Sequence, residues 1–353
     1  MSVALLNLRP RGGALSALLT QVNEQIERTL SRSAYAPLVD MAAYHVATGG
    51  RQFRARLTLT VAAALGVAPE RAVPFAAACE ILHNATLIHD DLQDGDNVCR
   101  GRPSTWARYG PNQAINAGDL MLMIPALALE PSDYPPALKW HLSSAIARRG
   151  ALTACGQSAE MQINDRREQC WDGWWAAAEG KTGHLFALPI EGAALLAGLN
   201  PAQATALADA VLPLGVLFQV QDDVLDLFGD KGRGQVGNDL REGKVSALTS
   251  AHIASCEPDA DWLDALLQTP WDDVREEQIT DAASRFAGSG ALELIQRRVT
   301  QTWSGVLQSE PLRRQPRLHR ELMGAMRGIL APLLDPIEPQ IVINPSLDGA
   351  AHV

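Results

Sequence analysis

An apolar run with helical spacing, Ile81, Leu82, Ala85, Leu87 and Ile88, stops abruptly at four acids, Asp90, Asp91, Asp94 and Asp96. In a helix, residues four apart share one face, so Asp90 and Asp94 project together and repel unless positive charge lies between them. The pattern recurs at 218–226, FQVQDDVLD, where Asp222, Asp223 and Asp226 close a second apolar run. Two greasy helices ending in acid at the same offsets limit the fold severely, because each cluster is an electrostatic liability without a shared ligand.

A hard, oxygen-seeking cation relieves that liability. Mg²⁺ fits best, since it takes only one or two carboxylates from a protein and fills its octahedron with water and phosphate oxygens. Arg100 and Arg102 follow the first cluster closely, and guanidinium forks recognise phosphate in a bidentate fashion. A solvated acidic helix end is the bland explanation of one such cluster; the second cluster weakens it. Carboxylates with arginines point to a metal-diphosphate site.

On these residues the chain resembles the all-trans prenyl diphosphate synthases of the polyprenyl synthetase family, among them geranylgeranyl and farnesyl diphosphate synthases. Asp90/Asp91/Asp94 and Asp222/Asp223/Asp226 match the family's two aspartate-rich motifs. The segments GGRQFR (49–54), RGRPS (100–104), GQSAE (156–160), GKTG (180–183) and NDLREGK (238–244) follow in the family's order. The resemblance implies an all-α, isoprenoid synthase-like helical bundle around a deep central cavity. It also implies that the six aspartates hold about three Mg²⁺ ions and that Lys181 and Lys244, with Thr182 and Gln219 nearby, hold an allylic diphosphate. Arg51, Arg54, His83 and Arg100 match the isopentenyl diphosphate site.

The implied reaction is head-to-tail addition of isopentenyl diphosphate to dimethylallyl, geranyl or farnesyl diphosphate, with a homodimer as the working unit. A class I terpene cyclase shares the bundle and one acid-rich helix, but it needs no isopentenyl site. A non-catalytic subunit of a heteromeric synthase usually loses one aspartate motif, and both are kept here. The chain departs from the family at Arg51 and Gln52, at Cys99 in place of an arginine, at Glu160 in place of an aspartate, and at Gln235 in place of a lysine, with Lys231 and Arg233 as substitutes. Chain length is read from the helix leading into Asp90: Ala85 and Thr86 are small, so the cavity is expected to stay open past the farnesyl stage. Leu82, Cys79, Leu122 and Met123 are the next candidate floors, and geranylgeranyl diphosphate is the expected product, with farnesyl or longer products as alternatives.

Elsewhere the pattern is helical and strand alternation is nearly absent. Residues 14–31 put Leu15, Leu18, Leu19, Val22, Ile26 and Leu30 on one stripe, an amphipathic packing helix. Residues 201–228 are apolar nearly all round and read as one buried helix. Gly49 and Gly50 free the backbone to turn tightly and set Arg51 and Arg54 at a helix start. Trp171, Trp174 and Trp175 share one helix and read as packing.

A chain of 353 residues, 47% hydrophobic, can bury a large core, and we assign residues 1–332 to one domain and 333–353 to a loosely ordered tail. The net charge of −10 leaves no basic stripe for nucleic acid and disfavours anionic lipid surfaces. Five scattered cysteines without a CxxC pair indicate neither a disulfide framework nor a zinc site. The first residues show no secretory pattern, and the apolar stretch Leu120 to Leu129 is too short to span a bilayer. A cytoplasmic protein without stable membrane insertion is expected.

Overall fold

The computed structural model describes residues 14–32, 35–166, 170–229 and 236–335. Among these, the helical pattern becomes helix nearly throughout. The order is α1 (Ala14–Leu30), α2 (Ala36–Val46), α3 (Phe53–Ala64), α4 (Pro69–Gln93), α5 (Thr105–Tyr109), α6 (Pro111–Met123), α7 (Pro136–Arg166), α8 (Trp171–Ala178), α9 (His184–Leu196), α10 (Pro201–Val211), α11 (Pro213–Phe228), α12 (Asn238–Arg241) and α13 (Ala247–Ser255). Further helices, the longest at Glu276–Gly288, Ala291–Gln308 and Pro316–Ile329, complete the bundle. The fold is all-α, as expected.

The centre is made by α4 and α9. α4 packs on α3, α6 and α9, with Ile81, Ala85 and Ile88 fully enclosed. α9 is buried without interruption from Leu185 to Leu196. On α1 the expected stripe is the packed face: Val22, Ile26 and Leu30 are buried, while Asn23, Glu24, Glu27 and Arg28 face water. Each buried aliphatic side chain contributes roughly 1.5–3 kcal/mol by leaving water. Such a core can position acids that repel one another.

The expected single helix at 201–228 is two, α10 and α11, joined at Leu212. Pro213 has no N–H, and its ring crowds the preceding turn. The Gly215 amide instead reaches the Leu212 carbonyl at 3.0 Å. The stretch Pro201–Phe228 is long and apolar enough to cross a membrane, but 56% of it is buried inside this bundle. Its last turns carry the second aspartate cluster.

The one pairing of strands among the described residues is a hairpin of β1 (Val98–Cys99) and β2 (Arg102–Pro103), with Cys99 opposite Arg102. Arg100 (φ 51°) and Gly101 (φ 79°) form its turn, and two successive positive φ values suit the right-handed twist of paired strands. The Tyr44 hydroxyl donates to the Pro103 carbonyl at 2.8 Å, pinning the hairpin to α2. Trp174 and Trp175 are buried and Trp171 stacks on Trp174, the packing role expected of them. Lys231, Arg233, Gln235 and most of the expected tail, 336–353, lie outside the described residues.

Candidate active site

The acid-bearing ends of α4 and α11 border one cavity of about 690 Å³. Eight carboxylates and two ammonium groups line it, among them Asp94 from the first cluster and Asp222, Asp223 and Asp226 from the second. Lys244 joins the two halves: its Nζ lies 3.0 Å from Asp94 Oδ2 and 2.8 Å from Glu242 Oε2. Lys181 forms an ion pair with Glu160. Burial alone would lower both lysines, but the surrounding carboxylates, Asp94 and Glu242 for Lys244 and Glu160 and Asp90 for Lys181, outweigh it and raise them.

The acids are correspondingly short of positive charge. Burial pushes Asp90 up to about 6 despite the pull of Lys181, and Asp94 and Glu160 add to the rise. Asp91 is also pushed up to about 6, first by burial, against the stabilising contact of the Cys99 thiol. Burial, then the neighbouring Asp239, raises Asp223 well above the carboxylate range. Crowded oxygen donors that resist ionising together are the donor set a hard divalent cation requires. The residues present therefore fit such an ion.

Lys181 reaches this cavity by an unusual local geometry. Residues Glu179–Gly183 form a π-helical turn between α8 and α9, a wide turn found most often at functional sites. It presses on α7 where two glycines meet. A Cβ on Gly156 would lie 2.1 Å from the Lys181 amide nitrogen, and one on Gly180 would lie 2.6 Å from Gly156 Cα. Glu160, four residues beyond Gly156, shares its face of α7 and so meets Lys181.

The neighbouring polar groups hold the second cluster in place. Thr182 Oγ1 donates to Gln219 Oε1 at 3.4 Å, and Gln219 Nε2 donates to Asp223 Oδ1 at 2.9 Å. The Ala247 amide reaches Asp223 Oδ2 at 2.7 Å. The Asp239 amide reaches Asp226 Oδ2 at 3.0 Å. Asp223 and Asp226 thus tie α11 to the starts of α13 and α12; Gln219 lines the cavity and Thr182 reaches Gln219.

A second group of donors, Arg54, His83 and Arg100, gathers outside the lining of that cavity. Arg54 Nη1 donates to His83 Nε2 at 2.8 Å. Burial, then Arg54 and Arg100, hold His83 well below its usual range, so its ring is neutral and its hydrogen sits on Nδ1. That Nδ1 and Arg54 Nε are both buried without a hydrogen-bond partner. Arg100 lies over the Gly50 backbone, where a Cβ would come within 2.8 Å of its Cζ. Unpartnered donors beside two guanidinium groups suit an anion with several acceptor oxygens.

Arg54, His83 and Arg100 are therefore gathered as expected, whereas the exposed Arg51 side chain does not join them; its carbonyl accepts from Arg56 Nε at 2.8 Å. Asp90 lies in the field of Lys181 and Glu160. Asp91 turns away from the cavity, and a carboxylate oxygen of its side chain, a ring nitrogen of His45 and Cys99 Sγ lie within 4.8 Å of one another. Adjacent helical residues point about 100° apart, so Asp90 and Asp91 cannot serve one ligand equally.

The chain-length candidates divide in the same way. Ala85, Leu82 and Cys79 are packed shut, and Leu82 lies against Gly150 of α7, where a Cβ would meet it at 3.5 Å. Thr86 is half-buried, with its hydroxyl donating to the His83 carbonyl at 2.8 Å. Leu122 is half-buried, and Met123, 78% exposed, lies on the outer surface. Sequence reasoning passed over Glu80, which accepts the Ala55 amide at 2.8 Å in the core below Arg54; an acid inside the apolar run of α4 was its signal. Asp239 and Glu242 on the cavity wall were also passed over, although both lie within NDLREGK.

A family model described as polyprenyl synthetase matches residues 36–283. A short chain isoprenyl diphosphate synthase of Methanocaldococcus jannaschii is 30% identical over 256 residues, covering 70% of this chain and 76% of that protein. A geranylgeranyl diphosphate synthase of Sulfolobus acidocaldarius is 34% identical over 251 residues, covering 69% of this chain and 74% of that protein. Among solved structures, a polyprenyl synthase from Caulobacter crescentus CB15, complexed with calcium and isoprenyl diphosphate, superposes with a TM-score of 0.75 at 25% identity, covering 93% of this chain and 97% of its own.

Proposed function

The chain belongs to the polyprenyl synthetase family, and on that premise we propose that this trans-prenyltransferase adds isopentenyl diphosphate head to tail to dimethylallyl, geranyl or farnesyl diphosphate, with geranylgeranyl diphosphate as its product. One observation carries the reading: besides a carboxylate-lined cavity with two lysines, Arg54 and His83 meet outside its lining with Arg54 Nε and His83 Nδ1 buried and without a hydrogen-bond partner. Two anionic substrates need two such places.

Asp90, Asp94 and Asp222, with Asp223 and Asp226 fixed beside them, would hold about three Mg²⁺ ions, whose positive charge would stabilise the departing diphosphate. Lys181 and Lys244 follow the same diphosphate as point charges on flexible stems. Arg54, His83 and Arg100 hold isopentenyl diphosphate so that its double bond faces the allylic cation. Excluding water from the site protects that cation from capture. The released diphosphate accepts the proton lost at the end, and the product is an allylic diphosphate one isoprene unit longer.

The geranylgeranyl product rests on the small, half-buried side chain of Thr86, with Ala85 packed shut and Leu82 against Gly150 of α7. The curated geranylgeranyl relative adds support. A homodimer working in the cytoplasm is part of the proposal: Met123 and Trp140 offer exposed apolar surface, and all five cysteines are free thiols, as a reducing compartment keeps them. Incubation of the purified protein with labelled isopentenyl diphosphate, Mg²⁺ and each allylic primer, followed by sizing of the dephosphorylated products, tests the reading. Elongation to geranylgeraniol is expected; a protein that elongates none of the primers overturns it.

A further inference from the structure

We propose that His45, Asp91 and Cys99 form a binding site for a borderline-soft divalent cation of the Zn²⁺ type, separate in its ligands from the carboxylate cavity. The three residues come from three elements, α2, the end of α4, and β1. One ligand atom from each lies within 4.8 Å of the other two. Tetrahedral zinc with bonds of about 2.0–2.3 Å places its ligand atoms roughly 3.5 Å apart, so small side-chain rotations complete the set.

Two of these side chains are incomplete as they stand. His45 is 1% exposed and Asp91 8% exposed, and His45 Nε2 and Asp91 Oδ2 are both buried without a hydrogen-bond partner. Buried polar atoms in folded proteins are nearly always partnered. His45 Nδ1 lies 3.4 Å from Thr105 Oγ1, the kind of outer contact that fixes a histidine tautomer and leaves Nε2 free to coordinate.

The ligand types decide which ion. A thiolate and an imidazole suit Zn²⁺ and its neighbours, whereas Mg²⁺ prefers oxygen donors throughout. Arg100 opposes a cation here, while Asp94 and Asp96 act in its favour. Thiolate and carboxylate together match the ion's charge. On binding, the Cys99 S–H bond breaks, its proton passes to solvent, and a sulfur–metal bond forms; no electron is transferred. Water takes the fourth position. The bound ion ties the hairpin that carries Arg100 to α2 and α4.

Co²⁺ titrated into the purified protein in excess Mg²⁺ is the spectroscopic probe. A thiolate-to-cobalt charge-transfer band is expected, saturating at about one ion and releasing about one proton per chain, and displaced by Zn²⁺. The band should vanish in Cys99→Ser and in His45→Gln and persist when the exposed Cys155 and Cys170 are both changed to Ser, with circular dichroism confirming each fold. Survival of the band in folded Cys99→Ser, or its absence from the unaltered protein, overturns the proposal. X-ray absorption of the zinc-loaded unaltered protein needs no variant: a first shell containing sulfur and imidazole supports the site, and a shell of oxygen alone refutes it.

Discussion

Asp90 is held in the fold with its carboxyl pushed up to about 6, above the roughly 3.9 of an unfolded chain. The folded protein therefore binds the proton more tightly than the unfolded one does, and the metal-free protein loses stability through this group as pH rises from about 4 to about 6. Asp90→Asn lacks that loss. In chelator, the melting temperature of the variant should draw ahead of the unaltered protein across this window and hold a constant lead above it; parallel melting curves at all pH values would contradict the burial described here. Turnover of the same variant should fall roughly a hundredfold or more. At this scale the aspartate clusters were legible because charge at helical spacing in apolar surroundings is conspicuous, whereas Lys181 and Lys244 were indicated only by the family resemblance. His83 was legible only through the family resemblance. The divergence of Asp91 from Asp90 follows from the helix itself, yet of the partners that Asp91 turned toward, Cys99 lies eight residues on while His45, 46 residues before it, is adjacent only in the fold.

The contact between α7 and the π-helical turn is the element on which Lys181 depends. Gly156→Ala puts a methyl group against the Lys181 amide nitrogen, at 2.1 Å if nothing moves. Overpacking of this kind costs roughly 1–3 kcal/mol, so urea denaturation should show a loss of that size and kinetics a lower turnover as Lys181 shifts from Glu160. A second test belongs to α4. Ala85 has no exposed surface, so an aromatic ring there overpacks the core, whereas half-buried Thr86 has room on one side. Thr86→Phe should leave the protein folded and active and move its products toward farnesyl diphosphate; an unchanged product distribution would show that position 86 does not meet the growing chain. The helices were legible from apolar periodicity. The π turn was not, since EGKTG carries no periodic signal in five residues, and the hairpin was hidden because strands two residues long show no alternation. The break at Pro213 was legible in principle: a proline inside a helical pattern ends or kinks the helix.

Taken as a whole, the bundle brings acids from opposite halves of the chain to one mouth, with Lys244 and Asp94 meeting across 150 residues. Ligands that bind only the folded state raise its stability by mass action. Mg²⁺ with inorganic diphosphate should therefore raise the melting temperature by more than the sum of the two added singly; additive shifts would mean that ion and anion occupy unrelated places. The mouth's charge carries a further meaning for how the molecule responds to its surroundings. With eight carboxylates facing two ammonium groups, the bare protein repels the phosphorylated compounds it is built to take, over a range of about 8 Å at physiological salt. Entry of a diphosphate is thus conditional: the acids that draw in a cation repel the anion until that cation is seated. On the proposed function the molecule would act as a coincidence detector, falling silent when free Mg²⁺ runs low even if every other reactant is abundant.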